Sequence, residues 1–156
     1  MVIMNHVDSI IHKAELQCKA HGARLTVKRK QVLAGLIQSK KALSAYELIN
    51  FCKERYGEVI PAMSVYRILE FLKEENLVHK LNLANKYVVC AHISCDHAHA
   101  TPQFLICQKC SKVKEISVKL ATITELQQSV QEAGFKLTSP QLEMNCLCDD
   151  CLAQAA

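Results

Sequence analysis

The sequence predicts an α+β protein in two parts, a helical N-terminal half that ends in a β-hairpin and a small C-terminal α/β domain. Four runs of apolar residues at helical spacing lie before residue 73, and two strand-like segments follow them. Beyond residue 102, strand-like segments lie on either side of one more helical run. We therefore divide the chain into residues 1–84, a middle segment at 85–102 that ends the hairpin and forms a hinge, and residues 103–156.

The first two helices are indicated by apolar positions three and four residues apart. The first run ends at His21 and Gly22, and glycine commonly follows the end of a helix. This run comprises Val7, Ile10, Ile11, Ala14 and Cys18. The second helix starts at Thr26, and its apolar face comprises Val32, Leu33, Leu36 and Ile37.

The third and fourth helices are each expected to begin at a serine that acts as an N-cap. Glu47 follows Ser44 at the spacing of a capping box, and Ser64 follows Pro61 at the start of the fourth helix. The buried positions are Ala45, Leu48, Ile49 and Cys52 in the third helix, and Val65, Ile68, Leu69 and Leu72 in the fourth. The fourth helix leaves Tyr66, Arg67, Glu70 and Lys73 facing outward.

Residues 77–81 and 86–90 are predicted strands around a polar turn at 82–85, which forms a hairpin directly after the helices. Helices followed by such a wing indicate a winged helix-turn-helix domain. After the linker, residues 104–106 and 113–116 are predicted strands and residues 120–133 a helix ended by Gly134. The last strand is indicated by the alternation of Leu142, Met144, Cys146 and Cys148.

Two Cys-x-x-Cys pairs in the C-terminal part form the most specific motif of the chain. Such pairs supply the tetrahedral sulfur ligands of structural zinc, and a strand, a helix and a returning strand between them can bring the pairs together. The four residues are Cys107, Cys110, Cys148 and Cys151. The alternatives are four ordinary buried cysteines or a redox motif, although a redox motif needs only one pair at a helix start.

A second set of metal-ligand types remains when those four sulfurs are assigned. His79 lies on the first wing strand, Cys90 ends the second, and Glu115 lies five residues past Cys110. The linker adds His92, Cys95, His97 and His99. One thiolate, one carboxylate and two neutral imidazoles would balance the charge of a divalent zinc, so these residues predict a weaker, reversible metal site.

The charge distribution points to nucleic acid as a partner of the N-terminal half. Residues 1–84 carry 13 Lys and Arg against 8 Asp and Glu, whereas the rest of the chain carries 6 against 7. Cations of this half can displace counterions from phosphates. Arg67, placed in the first turn after Ser64, is expected to contact a base edge, since arginine can donate two hydrogen bonds to guanine.

In several stretches the sequence resembles the ferric uptake regulator superfamily, and within it the zinc uptake regulator branch. The matching stretches are RLTVKR at 24–29, SAYEL at 44–48, SVYR at 64–67, YVVC at 87–90, FLICQKC at 104–110 and CDDC at 148–151. The resemblance implies a homodimer with two winged helices on a shared C-terminal dimerisation domain. It also implies a repressor of zinc-uptake genes that binds operator DNA when zinc is plentiful.

The resemblance also implies roles for individual residues, with two zinc ions per chain. The structural zinc would be bound by Cys107, Cys110, Cys148 and Cys151, and the regulatory zinc by His79, Cys90, one linker histidine and Glu115. We choose His99 over His97 because it lies closer to the strand at Phe104. Tyr46 and Arg67 would contact bases, whereas Arg24, Ser64 and Tyr66 would make backbone or helix-positioning contacts.

Three other functions compete with this interpretation. An iron- or peroxide-responsive regulator could use the same scaffold, but the soft sulfur of Cys90 favours zinc. A hydrolytic zinc enzyme would need an open coordination position for water, which four protein ligands exclude. A constitutive DNA-binding protein would hold only the structural zinc.

The first residues and the apolar content of the sequence predict a soluble cytoplasmic protein. The first residues lack the basic segment of a secretory signal, and no apolar run reaches the roughly 18 residues that span a bilayer. In a reducing cytosol, 9 cysteines favour metal binding over disulfides. We expect no membrane and no small-molecule substrate as partners.

Overall fold

The computed structural model describes residues 5–91, 93, 102–138 and 141–154, and the chain divides into two compact units at residues 1–96 and 97–156. The predicted α+β class is confirmed. The first unit contains α1 (His6–Ala20), α2 (Val27–Ser39), α3 (Ala45–Tyr56), α4 (Ala62–Glu74), β1 (Val78–Leu81) and β2 (Lys86–Val89). The second contains β3 (Gln103–Cys107), β4 (Val113–Ile116), α5 (Leu120–Glu132), β5 (Leu142–Cys146) and α6 (Asp149–Gln154).

The four helices of the first unit bury the apolar faces that their spacing predicts. Each fully buried residue of α4 is one of its predicted stripe, and the outward positions of that helix are exposed. Thr26, the predicted start of the second helix, is the N-cap of α2, and Ser44, the predicted cap of the third helix, is the N-cap of α3. Each accepts a hydrogen bond from the backbone N–H three residues on. The Ser44 side chain thus supplies the serine half of the predicted capping box, and its hydroxyl also donates to the Glu47 carboxylate at 3.2 Å.

The start of α4 differs from the prediction. The N-cap is Pro61, and the backbone N–H groups of Ser64 and Val65 both donate to its carbonyl oxygen at 2.9 and 3.1 Å. Proline favours a helix start because its φ is already helical and it has no N–H to leave unpaired. Ser64 is therefore within the first turn rather than the cap, and Arg67 lies in the second turn, not the first.

The wing forms as predicted and makes two contacts that the sequence did not indicate. β1 and β2 pair antiparallel, with His79 opposite Val88. Leu43, just before α3, makes a two-way backbone bridge with Tyr87 at 3.0 and 2.8 Å. Lys86 of β2 also lies 3.1 Å from the Glu47 carboxylate. These contacts tie the wing to the N-terminal end of α3.

The second unit is a three-stranded sheet in the order β4-β3-β5. β3 pairs antiparallel with β4 and parallel with β5, and Cys107 lies opposite Cys146 where β3 and β5 both end. The final strand is shorter than predicted, because β5 ends at Cys146 and α6 begins at Asp149. The predicted alternation through Cys148 is therefore wrong. Within the described part of the chain, no helix combines the length and apolarity needed to cross a membrane.

Candidate metal centres and nucleic-acid interface

The two Cys-x-x-Cys pairs meet at one end of the sheet in the second unit. The four sulfur atoms all lie within 4.8 Å of one another, and the Sγ atoms of Cys110 and Cys148 are 3.7 Å apart. A tetrahedral zinc with Zn–S bonds of about 2.3 Å separates its sulfurs by about 3.8 Å. The cluster therefore has the donor atoms and the spacing that a structural zinc requires.

The sheet topology explains how residues about 40 positions apart come together. β3 and β5 run parallel side by side, so their ends meet at the same edge. The first pair lies in the turn that follows β3, and the backbone N–H of Gln108 donates to the Cys146 carbonyl at 2.9 Å. The second pair does not lie in a tight turn. Cys148 precedes α6 and Cys151 lies within it.

The protein backbone favours the thiolate form of one of these cysteines. The pKa of Cys107 is lowered to about 6, first because of the Cys110 N–H and then because of the Cys148 N–H, which lies 3.4 Å from its sulfur. The pKa of Cys151 is raised to about 12, mainly by its hydrogen bond with the Cys148 thiol. Since a metal binds the thiolate, the N–H groups at Cys107 favour metal binding.

The wing brings together two of the four residues predicted for the second site. A ring nitrogen of His79 and the sulfur of Cys90 lie within 4.8 Å of each other. Cys90 is buried just after β2, where its backbone N–H donates to the Leu77 carbonyl at 2.9 Å. This position points a soft sulfur and an imidazole at the same place, which suits zinc.

The other two predicted ligands of that site stay predictions. Glu115 lies in the second unit, partly buried on β4 opposite Phe104. The predicted His99, together with His92, Cys95 and His97, falls outside the residues that the structure describes.

The residues predicted to contact DNA lie on the surface of the first unit. Tyr66 and Arg67 are exposed on the outer face of α4, and Tyr46 is 66% exposed on α3. Arg24 is exposed in the segment before α2, whereas Ser64 is half-buried. The outer face of α4 forms a shallow depression that is lined by Arg29, Met63, Tyr66, Arg67, Glu70, Phe71 and Glu74.

Four residues of this depression were not identified from the sequence, namely Arg29, Met63, Phe71 and Glu74. Met63, in the first turn of α4, is 66% exposed, and its apolar character at the helix start was the available signal. Arg29 falls within the stretch RLTVKR at 24–29, and no role was predicted for it. Its guanidinium lies 3.6 Å from the centre of the Phe71 ring, a contact across 42 residues that no local pattern reveals.

Known proteins are similar to this chain in sequence and in fold. The family model described as "Ferric uptake regulator family" matches residues 20–145. The chain is 32% identical over 144 residues to the zinc uptake regulation protein of Escherichia coli (strain K12), which covers 92% of this chain and 81% of that protein.

Two solved structures are similar over nearly the whole chain. A zinc uptake regulator complexed with zinc and DNA has a TM-score of 0.84 and 29% identity, covering 97% of this chain and 99% of that one. A crystal structure of holo XcZur has a TM-score of 0.76 and 32% identity, covering 93% of this chain and 98% of that one.

Proposed function

We propose that this chain, which belongs to the ferric uptake regulator family, is a zinc-responsive transcriptional repressor in the cytoplasm that binds operator DNA as a zinc-loaded homodimer. The genes it represses are those of zinc uptake. The observation that carries the proposal is the Cys90 sulfur beside the His79 imidazole in the wing. The likeness to zinc uptake regulators, one of them bound to zinc and DNA, supports it.

Two zinc ions per chain would have different roles. Cys107, Cys110, Cys148 and Cys151 would bind the structural ion, because four thiolates hold zinc tightly and leave no position open. Such a site stabilises the domain whatever the zinc supply. It offers no position for a catalytic water, and we propose no enzymatic activity.

The regulatory ion would be bound by His79, Cys90, His99 and Glu115. This set holds two negative charges, which neutralise Zn²⁺, so the site should bind more weakly than the four thiolates and respond to zinc supply. His79 and Cys90 belong to the wing, whereas Glu115 belongs to the second unit. Zinc would therefore join the DNA-binding unit to the other unit and fix the angle between them.

Fixing that angle would control DNA binding through the dimer. In a symmetric dimer, two recognition helices must enter successive major grooves about 34–36 Å apart, or a multiple of that distance. Zinc that binds the DNA-competent arrangement more tightly shifts the population toward it. Only that difference in affinity can produce the response.

The homodimer is proposed to form through the second unit. Several large apolar side chains of this unit are exposed in the single chain, namely Leu120, Phe135, Met144, Leu147 and Leu152. These are the exposed apolar side chains of the described part of this unit that a second copy would cover. A second copy of the chain is the partner that the family leads us to expect.

α4 is proposed as the recognition helix. Arg67 and Tyr46 would contact bases, whereas Arg24, Ser64 and Tyr66 would contact the DNA backbone or position the helix. The location of Arg67 in the second turn of α4 leaves its side chain exposed and compatible with this role.

Changing Arg67 to alanine is expected to weaken operator binding by about 1–3 kcal/mol and to relax base preference at one position of each half-site. Selection of bound sequences from a randomised operator, with wild type and variant in parallel, measures both effects. The matched control is Arg55→Ala, which removes an exposed arginine near the end of α3. Unchanged base preference in the Arg67 variant would exclude a base contact.

Metal content and operator binding, measured on the same sample, test the proposed function. We expect two zinc ions per chain, one of which mild chelation removes together with operator binding. Titration in anaerobic buffer should restore binding with zinc at lower free metal than with iron(II) or manganese. Restoration by iron(II) alone would favour the iron-responsive alternative, and binding that ignores chelation would favour a constitutive DNA-binding protein.

A further inference from the structure

Arg29 connects the segment before α2 to the outer face of α4. It lies in the first turn of α2 and is half-buried, and its guanidinium carbon is 3.6 Å from the centre of the Phe71 ring. One guanidinium nitrogen, Nη1, donates to the carbonyl oxygen of Arg24 at 2.6 Å. The cation therefore has an aromatic partner on one helix and a backbone partner in the preceding loop.

We infer that Arg29 is a positioning residue for DNA binding, which holds the backbone of Arg24 in a fixed place relative to the recognition helix. The inference rests on the proposed function, in which Arg24 contacts the DNA backbone and α4 contacts bases. Phe71 supplies the surface on which the guanidinium stacks, and the hydrogen bond from the same guanidinium holds the Arg24 carbonyl in place. A contact to phosphate would then be made by Arg24, not by Arg29.

The neighbouring cations have different surroundings. Lys30 pairs with Glu15 of α1 at 3.0 Å, and Lys28 is exposed. Arg29 differs from both because a planar guanidinium can stack on a ring and donate in its own plane at the same time. A lysine ammonium has no plane with which to do both. The geometry at Arg29 therefore depends on arginine itself and not only on its charge.

The hydrogen bond from Arg29 to Arg24 holds a segment in which one side chain is buried and its neighbour is exposed. Leu25, the next residue, is buried in the core, whereas the Arg24 side chain is exposed. The anchored carbonyl fixes the backbone from which this exposed side chain extends. Arg29 and Phe71 line the same depression as Tyr66 and Arg67, so the anchored loop lies beside the proposed base-contacting surface.

A double-mutant cycle in the full-length zinc-loaded protein tests this inference. We expect Arg29→Gln to weaken operator binding about tenfold, and to have almost no effect when Arg24 is already alanine, since residues that act through each other are not additive. Arg29→Lys should behave like Arg29→Gln, although it keeps the charge. Lys28→Gln is the matched control, and its effect should add to that of Arg24→Ala.

The salt dependence of binding gives a second readout that a purely structural role would not move. Arg24→Ala should reduce the slope of log K against log salt by roughly 0.9, and adding Arg29→Gln should reduce it no further. A reduction of roughly 1.8 in the double variant would mean that Arg29 contacts a phosphate itself, and would overturn the inference. Additive losses of affinity would overturn it equally.

Two further comparisons separate folding and function from this inference. If Arg29→Gln fails to fold, Phe71→Leu removes the stacking surface with Arg29 intact, and it should weaken binding only in the presence of Arg24. A wild-type chain without any affinity for DNA would overturn both proposals. DNA binding that ignores zinc would overturn the proposed function alone, and the cycle would still decide the role of Arg29.

Discussion

Replacing Cys90 with serine is expected to abolish zinc-dependent operator binding while the chain stays folded and dimeric. Serine is nearly the same size, but its hydroxyl does not ionise near neutral pH and is a poor zinc ligand. The site would lose its only sulfur and one of its two negative charges. Loss of an outer-shell partner already costs about 10–100-fold in metal affinity, so loss of this ligand should cost more than about 100-fold.

The measurement is operator binding as a function of free zinc, with metal content determined on the same samples. We expect wild type to hold two zinc ions and the Cys90 variant to hold one. His79→Ala should give the same result, and His12→Ala, which removes an exposed histidine of α1, is its control. If the Cys90 variant still needed the same free zinc as wild type, the regulatory site would have to lie elsewhere.

A thermal melt separates this effect from damage to the fold. Cys90 is buried and its backbone N–H is bonded to Leu77, so the serine variant keeps the backbone contact. A hydroxyl in that place should cost about 1–3 kcal/mol, which lowers the melting temperature without unfolding the unit. A variant that stayed folded, with a melting temperature lowered by no more than this cost, but no longer responded to zinc would identify Cys90 as a ligand.

Most of the helices and both wing strands could be predicted because their signals are local. Apolar periodicity records which face a segment buries, and α1 to α4 bury the faces that it indicates. Ser44 and Glu47 lie within one turn, so their cap follows from the sequence alone. The four cysteines could also be predicted, because two matched pairs have few uses other than binding one metal.

The errors have equally physical causes. Pro61 and Ser64 both favour a helix start. The helix begins after Pro61, whose carbonyl oxygen accepts the first helical hydrogen bonds. The helix α6 was missed because six residues are too few to establish a helical period. The bridge between Leu43 and Tyr87 and the stacking of Arg29 on Phe71 join residues more than 40 positions apart. Periodicity shows that a face is buried but not which residue covers it.

Changing Cys110 to serine is expected to lower the free energy of unfolding of the second unit strongly. Among the described residues of that unit, the buried side chains are Gln103, Phe104, Ile106, Cys107, Ile123 and Cys151. Two of these six are cysteines of the metal cluster, so little apolar surface supports the fold without the metal. Domains with cores this small usually need a metal, a disulfide or a partner chain.

Cys110 is the informative position because it is the exposed member of the cluster. Serine there removes a ligand without opening a cavity, so the loss of stability reports on the metal. Structural zinc contributes about 10–16 kcal/mol in zinc-finger peptides, and losing one of four ligands should cost about 3 kcal/mol or more. The control is Cys146→Ser, which changes a partly exposed cysteine of β5 outside the cluster.

Chemical unfolding, zinc content and molecular mass distinguish the two metal sites. We expect the Cys110 variant to lose its tightly held zinc, to unfold in its second unit at lower denaturant and to dissociate into monomers. Because Glu115 lies in that unit, the variant should lose the zinc response as well. The Cys90 variant should lose the response and remain a dimer. A Cys110 variant that kept its zinc, its stability and its dimer would show that the four sulfurs hold no structural ion. If both variants lose the zinc response but only the Cys110 variant loses the dimer, sensing and structural support belong to separate metal ions.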